Sequence, residues 1–125
     1  MLKVSIALSL VALYALYSFV VYTDGTESRV SFPAAEQALI SEGKQIYQDK
    51  NCQACHQIYG LGGFLGPDLT TGYSDKHRGE PFLRAMMTSG GSRMPNFRLN
   101  NRQVDALIAY LKYVDSTATP IKQPR

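Results

Sequence analysis

The run Cys52-Gln53-Ala54-Cys55-His56 limits what this chain can fold around more than any other feature. Two cysteines separated by two residues, with a histidine next in line, have the spacing at which haem is attached covalently. Thiols about one helical turn apart reach the two vinyl groups on one porphyrin edge and form thioethers. The neighbouring imidazole then points at the iron as an axial ligand. A disulfide across two residues would be a strained loop, and such pairs are more often redox-active, metal-binding or haem-linked. A zinc site needs four ligands, and the chain has two Cys and two His in all. A thioredoxin-like dithiol follows a strand, whereas a helical pattern precedes this motif. One covalent haem c on Cys52, Cys55 and His56 is therefore the expectation.

An iron with a vacant sixth position binds gases or peroxide, and one with both axial positions filled carries electrons. Met86, Met87, Met94 and His77 are the candidates for that second ligand. Met94 stands before Pro95 in an irregular stretch between two helical patterns, where a rigid loop can present its sulfur, so it is preferred. Met86 and Met87 fall within a short helix and read as core. His77 sits among Lys76, Arg78 and Gly79 and reads as a surface histidine. A Met/His pair raises the reduction potential. A ligating His should donate its Nδ1–H to a fixed carbonyl, and Pro67 is the expected supplier. Tyr59, Tyr73, Arg84 and Arg93 are candidates to hydrogen-bond the propionates, with Arg93 favoured because it adjoins Met94.

Val4 to Tyr22 is an uncharged run of 19 residues. As a helix it spans roughly 28 Å, the hydrocarbon thickness of a bilayer. Tyr14, Tyr17, Phe19 and Tyr22 gather towards its outer end, where interface-seeking rings belong. Lys3 precedes it, and Asp24 and Glu27 follow, which points to a cytoplasmic N-terminus. Val20, Val21 and Tyr22 do not make a small-residue cleavage site, so an uncleaved anchor is expected.

The boundaries expected are an anchor over 1–23, a linker over 24–33, a haem-bearing domain over 34–116 and a tail over 117–125. Pro33 can occupy the first position of a helix. Ala35, Leu39, Gly43, Ile46 and Tyr47 then mark one helical face up to about Lys50. Residues 56–79 hold six of the ten glycines and read as loop. A short helix fits Glu80 to Thr88, stopped by Ser89-Gly90-Gly91. For the last helix, Asn100 is an N-cap, Gln103 stands at the capping-box position, and Leu99 can staple onto Val104. Val104, Leu107, Ile108, Leu111 and Val114 form its apolar stripe. Gly43 would face this helix near Tyr110 and Leu111, where a missing side chain allows close approach. The fold class expected is all-α: one transmembrane helix followed by a haem-bearing domain of three to five helices, with no convincing strand. Thirteen basic residues against ten acidic, without a cluster of either, make nucleic acid a poor partner.

Gly43-Lys44-Gln45-Ile46-Tyr47, Asn51 to His56, Gly60 to Leu69, and Met94-Pro95-Asn96-Phe97-Arg98-Leu99 running into Gln103 to Leu107 together carry a family likeness. The chain resembles the small cytochrome c subunit of bacterial cytochrome-c-type nitric oxide reductases. That resemblance implies a large multi-helix membrane partner with haem b and a haem b–non-haem iron centre, where two NO become nitrous oxide and water. It implies that the small subunit is not an enzyme alone. It takes electrons from a periplasmic donor, outside the bacterial inner membrane, and hands them to that haem b. Family members also hold a calcium ion near the subunit boundary, on groups matching Gly62 and Phe64. Phe64 replaces the tyrosine expected there, so one side-chain ligand is lost. Other readings are the equivalent subunit of a haem–copper oxygen reductase, a free-standing anchored electron shuttle, and a gas sensor or peroxidase with an open iron.

Overall fold

The computed structural model describes residues 2–24 and 32–118. Most of the expected linker and nearly all of the expected tail, with Glu27 and Thr119-Pro120, lie outside the described residues.

Helix α1 is Leu2–Asp24. Its stretch Leu2–Thr23 is long and apolar enough to cross a membrane, and its large apolar side chains are exposed, Leu8 by 65% and Phe19 by 67%. A helix apolar all round with its side chains outward is suited to lipid rather than to water.

Helix α2 is Ala34–Asp49. Pro33 stands one position before the helix rather than in it, and its carbonyl accepts the Gln37 N–H at 2.9 Å. Asn51, in the left-handed region at φ 53°, ends this segment and turns the chain into a 3-10 turn, Cys52–Ala54. Short strands β1, Gln57–Ile58, and β2, Leu61–Gly62, pair antiparallel with Gln57 opposite Gly62 and Ile58 opposite Leu61. This hairpin corrects the strand-free expectation. Tyr59 and Gly60 have φ of 54° and 77°, the double left-handed turn that two-residue hairpins need. Helix α3 is Gly79–Ser89, one residue longer at each end than expected. It closes with the Gly90 N–H on Met86 O at 2.8 Å.

Helix α4 is Asn101–Thr117. Its start is the expected capping box: Asn100 Oδ1 accepts the Gln103 N–H at 2.9 Å, and Gln103 Oε1 accepts the Asn100 N–H at 3.1 Å. Val104, Leu107, Ile108, Leu111 and Val114 are buried, each worth about 1.5–3 kcal/mol relative to exposure. They pack with Ile46 and Tyr47 of α2, Ile58, and Leu83 and Met87 of α3.

The α2–α4 crossing is the tightest approach. A Cβ on Gly43 would stand 1.9 Å from Ala106 O and 2.9 Å from Tyr110 Cβ, so the backbones meet where the side chain is missing. Ion pairs flank it, Lys112 with Glu36 at 2.9 Å and Arg102 with Glu42 at 3.0 Å. Tyr47 and Tyr110 stack beside it in tilted geometry, ring centroids 5.6 Å apart.

Candidate functional site

The motif cysteines sit on the turn that follows α2. Cys52 O accepts the Cys55 N–H at 3.2 Å and the His56 N–H at 2.9 Å, so the three residues share one tight turn. The two cysteines are free of any disulfide and partly buried. Burial pushes the Cys52 thiol above its ordinary value. That disfavours the thiolate a redox dithiol would need.

The glycine-rich loop folds back onto this turn. The Gly63 N–H reaches Gln53 O at 2.9 Å and the Gly66 N–H reaches Cys55 O at 2.8 Å. A Cβ on Gly66 would stand 2.4 Å from His56 Cε1, so only glycine lets the loop lie against the ring. His56 Nδ1 then meets Pro67 O at 2.9 Å. With Nδ1 as the donor, Nε2 is left free to bind a metal.

A crevice of about 400 Å³ opens between the helices. Tyr47 and Lys50 line it from the α2 side, Cys52 and His56 from the motif, and Leu69 from the loop. Met87 of α3, Leu107 and Leu111 of α4, and Met94, Phe97 and Leu99 before α4 complete it. Met94 is held there by a turn in which the Gly91 N–H donates to Met94 O at 2.8 Å. The structure thus brings Cys52, His56 and Met94 to one apolar crevice and sets Pro67 behind the histidine. Cys55 and Arg93 do not line it, and Arg93 is exposed.

The crevice fits a haem by its chemistry. One wall carries an imidazole, another a thioether sulfur, and apolar side chains lie between. Tyr47 adds a hydroxyl that is buried with no hydrogen-bond partner, and burial pushes this phenol well above its ordinary value. A buried hydroxyl costs about 1–3 kcal/mol when unmatched, so a group bearing acceptors belongs nearby.

Three expected propionate partners are engaged elsewhere. Tyr59 Oη donates to Val114 O at 3.1 Å and Tyr73 Oη to Glu80 Oε2 at 3.1 Å. Arg84 pairs with Glu80 at 2.8 Å and Asp105 at 2.6 Å. In each case a neighbouring acceptor on the protein is met first. His77 is exposed, its backbone N–H bound by Asp75 Oδ1 at 2.8 Å. Tyr47, Leu69 and Phe97 were missed as crevice residues. Tyr47 was read only as part of a buried face, although it lies five residues before Cys52.

The comparisons agree with this geometry. Residues 40–115 match the family model for cytochrome c. This chain belongs to the cytochrome c family. Haem c, covalently bound, follows from that membership, and the two cysteines needed are present. The chain is 30% identical over 89 residues to a nitric oxide reductase subunit of Stutzerimonas stutzeri, covering 64% of this chain and 61% of that protein. It is 26% identical over 103 residues to cytochrome c oxidase subunit 2 of Alkalihalophilus pseudofirmus, covering 73% of this chain and 30% of that protein. The chain therefore spans about three-fifths of the first relative and under a third of the second. Together these make it an electron-transfer cytochrome c subunit, similar to the small subunit of nitric oxide reductases and not catalytic alone.

The calcium expectation gains no support. Among the described residues no three His, Cys, Asp or Glu side chains gather to hold a metal. Phe64 is 89% exposed and brings no side-chain oxygen.

Proposed function

We propose that this protein passes single electrons from a periplasmic donor to the haem b-containing catalytic subunit of a nitric oxide reductase. The observation that carries the reading is the gathering of Cys52, His56 and Met94 around one apolar crevice, with His56 Nδ1 2.9 Å from Pro67 O. The likeness to the Stutzerimonas stutzeri nitric oxide reductase subunit supplies the partner.

Haem c supplies one-electron chemistry at its iron. Cys52 and Cys55 hold it by thioethers, His56 Nε2 takes one axial position and Met94 sulfur the other. Pro67 O fixes the imidazole plane and tautomer, Met87, Leu107 and Leu111 keep water from the crevice, and Arg93 is the cation closest in sequence to Met94. Residues 34–116 form the haem-bearing unit and 1–23 the anchor. The span is retained in a bacterial inner membrane with its N-terminus cytoplasmic, and residues 24–33 place the haem unit on the periplasmic side.

The ferric protein should show the long-wavelength sulfur-to-iron absorption band, and Met94→His should abolish it. A wild type lacking that band, and binding CO rapidly once reduced, overturns the electron-transfer reading in favour of an open iron. The partner is tested by turnover of the purified complex, expected with NO. Consumption of oxygen without NO selects the second reading, a haem–copper oxygen reductase subunit, which the likeness to cytochrome c oxidase subunit 2 favours.

A further inference from the structure

The carbonyl that faces His56 belongs to a proline. Pro67 has no N–H of its own with which to be pinned, so its peptide plane must be aimed by its neighbours. On one side the Gly66 N–H is held by Cys55 O at 2.8 Å, and two residues on the Leu69 N–H is held by Gln57 O at 2.9 Å. Between them stands Asp68. Its Oδ1 accepts the Thr70 N–H at 2.8 Å and the Thr70 Oγ1–H at 2.6 Å. A side chain bonded to the backbone two residues on fixes its own φ and ψ. The plane shared by Pro67 C=O and Asp68 N–H is thereby fixed too.

The clamp is itself braced. Thr70 Oγ1, its proton given to Asp68, accepts the Tyr59 N–H at 2.7 Å. Tyr59 holds a left-handed φ of 54°, which a bulky residue adopts only when its surroundings demand it. Its Oη is tied to Val114 O at 3.1 Å and to Thr117 Oγ1, in the last turn of α4. A continuous set of hydrogen bonds and peptide planes therefore links the ring of His56 to the end of α4.

We propose that Asp68 is a positioning residue for His56: its clamp on Thr70 holds the Pro67 carbonyl in line with the imidazole Nδ1–H. The inference rests on the reading of His56 as the haem ligand. A firmly held acceptor on Nδ1 orients the ring and raises its basicity. A more basic ligand favours the ferric state, so releasing the clamp raises the reduction potential.

The test uses the full-length holoprotein in detergent, with Asp68→Ala, Asp68→Asn and Asp75→Ala. Asp75 Oδ1 clamps the backbone N–H groups of His77 and Arg78 and so controls for losing a loop clamp elsewhere. The readouts are solvent exchange of the His56 Nδ1 proton in the reduced protein, by NMR, and the potential. Asp68→Ala should speed exchange by about tenfold or more, in line with the loss of a histidine's supporting partner, and shift the potential upward. Asp68→Asn keeps an oxygen able to take both hydrogen bonds, so its exchange should stay within roughly threefold of wild type. Asp75→Ala should alter neither readout. Unchanged exchange in Asp68→Ala overturns the proposal. So does an equal effect in Asp68→Asn, which would assign the change to charge rather than to the clamp. If Asp68→Ala does not mature, Thr70→Val removes one clamp bond and must speed exchange for the proposal to stand. A wild type without covalent haem would sink the functional reading instead, leaving a distinguishable result.

Discussion

Gly43→Ala tests the approach of α2 and α4 that closes the haem-bearing unit. The added Cβ would stand 1.9 Å from Ala106 O and 2.5 Å from Ala106 C. Both are backbone atoms, so no rotamer change relieves the clash. The helices would have to part by about 1.5 Å to regain an ordinary 3.4 Å contact. Overpacking costs about 1–3 kcal/mol, with rigid backbone neighbours placing this case at the upper end. Ala in place of Gly within a helix returns about 1 kcal/mol of that. The net loss is about 2 kcal/mol, which lowers the Tm of a domain this size by roughly 8–16 °C. Thermal unfolding of the holoprotein by circular dichroism reads it directly. Gly72→Ala is the internal control, because its nearest neighbour, Leu69 O, lies at 3.4 Å; it should stay within about 0.5 kcal/mol of wild type. A Gly43→Ala protein as stable as wild type, or more so, would mean that helix propensity outweighs the clash and that the helices part easily at this crossing.

Gly66→Ala should push the His56 ring off the Pro67 carbonyl, since the new Cβ falls 2.4 Å from Cε1; about 1–3 kcal/mol of stability should go with it, read as a lower Tm and an altered haem absorption spectrum. Asn100→Ala removes the oxygen that accepts the Gln103 N–H and should cost about 1 kcal/mol, measured by denaturant midpoint. Acid unfolding should depend on three carboxylates. Hydrogen bonds from Arg84, from Arg102 and from the His77 and Arg78 backbone hold Glu80, Glu42 and Asp75, respectively, below their ordinary values. A lowered folded value gives stability that is present above the unfolded range of about 4 and lost as pH falls through the lowered one. Tm should therefore decline below about pH 4, and Arg84→Ala should flatten part of that decline while changing neutral stability little, as exposed pairs do. Parallel Tm–pH profiles for the two proteins would refute the assignment.

Much of the fold was legible because it is written in short-range patterns. A 3.6-residue stripe and an Asn-x-x-Gln start define α4, and nineteen uncharged residues define the span. The hairpin was not legible, because Tyr59 is an unexpected left-handed residue and its partner Thr70 lies eleven positions on. The propionate candidates failed for a related reason. Tyr59, Tyr73 and Arg84 each have a polar tip with several acceptors in reach, and chain closure selected Val114, Glu80 and Asp105.

By itself the sequence determined the chemistry of the Cys52-Gln53-Ala54-Cys55-His56 run, because attachment spacing is a covalent matter settled within five residues. It also determined the anchor and the helix pattern, which depend on local periodicity and composition. Only the tertiary structure decided that Cys52, His56 and Met94 share one crevice, that Gly66 rather than another loop glycine lies against the imidazole, and that Asp68 braces the carbonyl behind it. Those are relations between segments 10 to 40 residues apart. Hydrogen bonds and close contacts across such distances form only once α2 and α4 have packed, so no local pattern records them.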